Sequence, residues 1–130
     1  MSDLLEVHTT FAKIIDATEI CRKLVDEKLA ACAQMIPGVT SIYYWDGRTR
    51  RDSELLVLIK TTKQAWPALR DRLKELHPFD EPEIIAMQVE DSSQSYADWV
   101  SGYISGRGST GNPTSGSVGD SKKGDDDGYW

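Results

Sequence analysis

The stretch that decides the fold is Thr40-Ser41-Ile42-Tyr43-Tyr44-Trp45-Asp46-Gly47-Arg48-Thr49, together with Leu55-Leu56-Val57-Leu58-Ile59 a little further on. Asp-Gly between two β-rich apolar runs signals a hairpin, because both residues tolerate the positive φ of a type I′ turn. The first arm, 32–44, is broken by Pro37-Gly38. Proline has no N–H to give a ladder, so this arm is expected to bend there or to lie at a sheet edge. The return arm is predicted over 49–61. Its centre does not alternate between apolar and polar residues, so both faces of that strand are expected to be covered.

Working outward, residues 4–10 alternate Leu5 and Val7 against Glu6 and His8, which is strand periodicity. Asp16-Ala17-Thr18-Glu19 has the form of a capping box and predicts that a helix starts there. Ala17, Ile20, Cys21, Leu24, Val25 and Leu29 follow at helical spacing. A second helix is predicted over 65–76, with Pro67 in its first turn and His77-Pro78 as its stop. A fourth strand is expected over 83–90 and a short last helix over 95–104. The order β-α-β-β-α-β-α predicts an α+β fold of the ferredoxin-like βαββαβ kind, an antiparallel sheet with two helices on one face. The other face is too apolar to be left wet, and a second copy of the chain is the expected cover. An Asp at Val57 or Ile59 is accordingly expected to separate the copies.

From Gly106 onward the composition changes: seven of the ten glycines of this 130-residue chain lie there. Such a segment buries too little apolar surface to offset the entropy of ordering it. The expected organisation is a folded domain over 1–105 and a flexible Gly/Ser/Asp-rich tail over 106–130. Hydrophobic residues at 39% and charged residues at 28% are enough for a real core. The longest apolar runs, at 29–33 and 55–59, are far short of a membrane span. A net charge of -6 argues against nucleic-acid binding, which needs a clustered positive surface. Arg48, Arg50 and Arg51 are flanked by Asp46, Asp52 and Glu54 and are expected to be a solvated hairpin end. Residues 1–7 show no secretory pattern, and the two cysteines, Cys21 and Cys32, fit neither a zinc pair nor a disulfide framework. A cytoplasmic protein with reduced thiols is expected.

Five segments now stand in register: Lys28-Leu29-Ala30-Ala31-Cys32, the 37–47 run ending in Asp46-Gly47, Lys60-Thr61-Thr62-Lys63, the 76–85 run around His77-Pro78-Phe79-Asp80-Glu81-Pro82-Glu83, and Tyr96-Ala97-Asp98-Trp99. In this order and spacing, over about residues 4–105, the chain resembles the CutA family of divalent-cation tolerance proteins. The resemblance implies a tight homotrimer in which the long second and third strands reach across subunits. It also implies an association with copper and other divalent metal ions, and no established enzymatic reaction. The trimer architecture resembles the PII signalling proteins, which bind small ligands between subunits. Some relatives have cysteine where this chain has His8 and histidine where it has Leu76. The segment between the first strand and helix also lacks their usual proline near Phe11.

His8 and His77 are therefore the candidate metal ligands. Two imidazoles with nearby carboxylates favour copper(II), nickel or zinc over copper(I). Taken structurally, His77 would instead cap a helix C-terminus. His8 shares a strand face with Glu6, about 7 Å away along the backbone. Lys60, Glu83, Tyr44, Trp45 and Cys32 are the candidate lining of a ligand cleft, and Cys32 is also a good packing residue. A Lys60–Glu83 pair would suit either an anion or a structural ion pair. With no nucleophile-base-orienter set and no Gly-rich phosphate loop, enzymatic chemistry is not expected. The expected function is a homotrimeric divalent-cation tolerance protein that binds copper or another divalent metal. The alternative is a PII-like sensor of a small organic ligand held between subunits.

Overall fold

The computed structural model describes residues 2–106, so the expected 106–130 tail lies outside the described residues apart from Gly106. The elements follow in the expected order: β1 (Leu4–Phe11), α1 (Ile14–Asp26), β2 (Cys32–Trp45), β3 (Arg48–Thr62), α2 (Trp66–Leu76), β4 (Ile85–Gln88) and α3 (Gln94–Ser105). The four strands form one antiparallel sheet in the order β2-β3-β1-β4. The hairpin turn is built as its residues predict, with φ of 52° at Asp46 and 85° at Gly47. Pro37 and Gly38 sit in a register shift between Ile36 and Val39 on the edge strand β2, where a missing N–H costs no ladder bond.

Burial along the 55–59 run alternates. Leu55, Val57 and Ile59 are buried and Leu56 and Leu58 half-buried. Val57 and Ile59, with Val7 and Phe11 of β1, pack under α1 through Ala17, Ile20, Cys21 and Leu24 and under α2 through Leu69 and Leu73. The opposite face carries Leu56 and Leu58 with His8, Thr10 and Ile85. Among the described residues, α3 covers one end of that face, where Val100 packs on Leu4 and Ala31. Val57 and Ile59 therefore belong to the protomer's own core. An Asp at either would unfold the chain rather than separate copies.

Three boundaries depart from expectation. Helix α1 begins at Ile14, so Asp16 lies in its first turn, where its charge favours the helix dipole. The N-cap is Lys13, which makes no side-chain capping bond. The same helix stops at Asp26, because Lys28 takes a φ of 61° and closes a Schellman-type end: Lys28 N–H donates to the Val25 carbonyl and Leu29 N–H to the Leu24 carbonyl, each at 3.0 Å. Leu29 reaches the core as the apolar residue after that cap, which explains why it fits the helical stripe without being helical. The Lys28 ammonium rests 4.0 Å from the Tyr103 ring centroid, and the Tyr103 hydroxyl donates to the Val25 carbonyl at 2.6 Å, fastening α3 to this corner. Finally, β4 is only four residues long, since pairing with β1 begins at Ile85, beyond Pro82.

Candidate functional site

Cross-strand register places Cys32, Lys60, Glu6 and Met87 in one row of the sheet, and Gln34, Leu58, His8 and Ile85 in the next. All of these point away from α1 and α2, because strand side chains alternate and Val7 and Ile59 point toward them. In the middle of this face, His8 Nε2 lies 2.8 Å from Glu6 Oε2, with side-chain exposures of 23% and 29%. The Lys60 ammonium is 3.9 Å from the other oxygen of Glu6 and donates to Gln34 Oε1 at 2.7 Å. A polar chain therefore runs His8–Glu6–Lys60–Gln34 across three strands. Cys32, at the α3 end, lies near Tyr96, whose phenol is pushed up to about 12 by burial first and by Cys32 second.

The expected Lys60–Glu83 pair does not form within the chain: the carboxylate that meets Lys60 is Glu6. Glu83 instead lines a groove with Trp45 at the hairpin end of the sheet. Tyr44 is 72% exposed and, by alternation, points to the other side of the arm from Tyr43 and Trp45. The five expected cleft residues thus fall into three places: Cys32 with Lys60, Trp45 with Glu83, and Tyr44 alone.

His77 follows α2 and is 7% exposed. Its Nε2 is 2.8 Å from the Thr10 carbonyl, which can only accept, and its Nδ1 is 3.1 Å from the Phe79 N–H, which can only donate. This fixes a neutral ring protonated on Nε2. The ring stacks on Phe11 at 4.4 Å and 13° and meets Phe79 at 4.8 Å. Burial holds its pKa below the usual imidazole value, with the Thr10 bond and the charges of Glu54 and Asp16 working in the opposite direction. As placed, both ring nitrogens of His77 are taken up by hydrogen bonds within the fold. Among the described residues no group of three or more His, Cys, Asp or Glu side chains is placed to hold one metal ion.

Glu6 Oε2 can only accept, so its 2.8 Å contact with His8 is a hydrogen bond with the proton on Nε2; two cis donors each about 2.0 Å from one ion would stand about 2.8 Å apart as well. Glu6 was recognisable in sequence as the residue two before His8. Gln34 and Tyr96 were not, because their places here depend on pairing and packing between distant segments.

The molecule is thus an antiparallel α+β protein with α1 and α2 on one face of its sheet and α3 beside imidazole, carboxylate and thiol groups on the other. Comparison with known proteins makes this specific. The family model for CutA1 divalent ion tolerance protein matches residues 5–102. The divalent-cation tolerance protein CutA of Thermus thermophilus is 48% identical over 84 residues, covering 65% of this chain and 82% of that protein. Human protein CutA is 45% identical over 84 residues, which span 47% of its length. The crystal structure of CutA from Xylella fastidiosa superposes with a TM-score of 0.77 at 38% identity, covering 79% of this chain and 99% of that one. The structure described as a periplasmic divalent cation tolerance protein CutA, from Archaeoglobus fulgidus, gives 0.75 at 26% identity, covering 78% and 98%. The chain belongs to the CutA1 family of divalent ion tolerance proteins. No helix among the described residues is long and apolar enough to cross a membrane.

Proposed function

We propose that this chain acts in divalent-cation tolerance by binding copper(II), or a divalent ion of similar geometry, through His8 and Glu6, with His77 serving the fold. The observation that carries this is the His8–Glu6 hydrogen bond on a half-buried part of the sheet face, an imidazole nitrogen and a carboxylate oxygen 2.8 Å apart whose shared proton a tetragonal copper(II) or nickel(II) ion would replace. One chain supplies two donors, so water or another copy completes the coordination. Leu56, Leu58, Ile36, Ile85 and Met87 leave apolar surface beside the pair, which supports a homotrimer closing over this face of a ferredoxin-like protomer. No catalytic step belongs to this reading. Cys21 is buried and Cys32 half-buried, both as free thiols, which supports a cytoplasmic setting.

Calorimetric titration of the full chain with copper(II) tests the metal reading. Saturable binding tighter than about 1 mM is expected. It should be lost in His8→Ala, strongly weakened in Glu6→Gln, and kept in any His77 variant that stays folded. Binding unchanged by His8→Ala would overturn the assignment.

A further inference from the structure

Lys60 is the cation of the polar chain on the sheet face, and it is mostly buried. Its side chain is 17% exposed, whereas a lysine ordinarily keeps its ammonium in water. Register explains the placement. Lys60 stands directly opposite Glu6 on β1 and diagonally from Gln34 on β2, which pairs with Leu58. The ammonium donates to Gln34 Oε1 at 2.7 Å and lies 3.9 Å from Glu6 Oε1. The other oxygen of that carboxylate, Oε2, accepts from His8 at 2.8 Å. Glu6 therefore divides one negative charge between an imidazole N–H and an ammonium.

A divalent ion held by His8 and Glu6 shares this carboxylate with the cation already beside it. The ion binds against the ammonium's charge, at a depth where solvent screens little. Gln34 gives the ammonium a neutral acceptor, closer than Glu6, so the carboxylate can turn to an ion without leaving a buried N–H unpaired. We propose that Lys60 is a resident competitor cation that sets the affinity of the His8–Glu6 site. It keeps binding weak, so the site fills when divalent ions are in excess. With Glu6 and Lys60 balanced, no net negative charge remains to attract a monovalent cation. The inference rests on the metal reading of His8 and Glu6. It requires no open surface, because the competing charges belong to one chain.

Calorimetric titration of the full chain with copper(II), at about 0.1 M salt, compares the parent with Lys60→Met, which keeps the length of the side chain and removes its charge. Lys60→Met should bind copper(II) about tenfold more tightly, and Lys60→Arg should stay within about threefold of the parent. A merely structural role gives the opposite sign, since damage to the fold weakens binding. Circular dichroism and sedimentation check fold and mass, and Lys60→Gln is the second charge-free variant should Met alter either. The inference alone is overturned if the charge-free variants bind no more tightly than the parent while His8→Ala still abolishes binding. Equal tightening by Lys60→Arg also overturns it, because charge would not then be the cause. Binding that survives His8→Ala, or no binding in any of these chains, overturns the metal reading and this inference with it.

Discussion

Replacing His77 by Ala removes two hydrogen bonds and an aromatic stack from a site that is 7% exposed. Each hydrogen bond contributes about 1 kcal/mol and the stack on Phe11 about 1 kcal/mol more. The expected loss is therefore about 3 kcal/mol, before any cavity cost. With a urea m-value of about 2 kcal/mol/M, the midpoint should fall by about 1.5 M at fixed protein concentration. The wild type also carries a pH signature. The folded-state pKa of His77 is lowered, so below about pH 6.5 the unfolded chain binds the proton first. Stability should then fall as pH drops from about 6.5 toward the folded-state value, by at most about 1.4 kcal/mol per pH unit. The chemistry agrees, because a proton on Nδ1 would face the Phe79 N–H, donor against donor. Urea denaturation followed by circular dichroism at pH 8 and pH 5.5 reads both effects, and the wild-type slope minus that of His77→Ala isolates this ring. A cost below about 1 kcal/mol, an unchanged pH slope and loss of copper binding in the variant would together show that the ring serves metal rather than fold.

Leu58→Asp should leave a folded protomer and lower the sedimenting mass, whereas Val57→Asp should abolish cooperative unfolding, because only Val57 lies beneath the helices. Equal behaviour of the two would remove the distinction between faces. Gly47→Val should cost about 1–2 kcal/mol in thermal or urea unfolding, since φ is 85° and a β-branched residue resists that region; a neutral result would mean that the turn rearranges freely. Alkylation read by mass spectrometry should modify Cys32 well before Cys21, whose thiol burial pushes up to about 12, and equal labelling would contradict that burial.

What the sequence disclosed depended on how local the controlling interaction is. Asp46-Gly47 acts through its own φ preferences, so the hairpin was legible from two residues. The His8–Glu6 pair was legible as well, since a two-residue step along a strand always shares a face. The Leu55–Ile59 run predicts two covered faces, whereas in the protomer Leu56 and Leu58 are only half-buried, and its composition did not show which residues face which neighbour. That assignment needs the pairing Val7↔Ile59 together with knowledge of where α1 and α2 lie. Lys60 could not be matched to Glu6 for the same reason, as the partners are 54 positions apart and meet only through register. His77 stayed open in the sequence because its position after a helix suits a ligand and a packing residue equally. Only the Thr10 carbonyl and the Phe79 N–H decide between them.

The irregularity at Pro37-Gly38 reaches further than the bend it makes. Between Ile36 and Val39 strand β2 advances three residues while β3 moves two, from Leu56 to Glu54. The odd residue inverts the parity of everything beyond it. Even-numbered β2 side chains share the face of Glu6 and His8 before the shift, and odd-numbered ones, including Tyr43 and Trp45, do so after it. Loss of Gly38 alone would let β2 pair regularly from Ile36 to Val39 and leave Tyr43 and Trp45 opposite Arg50 and Arg48 on the same face, whereas loss of one residue from the regular ladder on either side would turn everything beyond it over. Removal of one residue from each strand next to the Asp46-Gly47 turn would shorten the arm without turning anything over. In lineages that share this fold, the arm is therefore free to vary in length in matched pairs at its tip, while a single deletion in β2 should be found only at Pro37-Gly38, where it removes an odd residue instead of creating one.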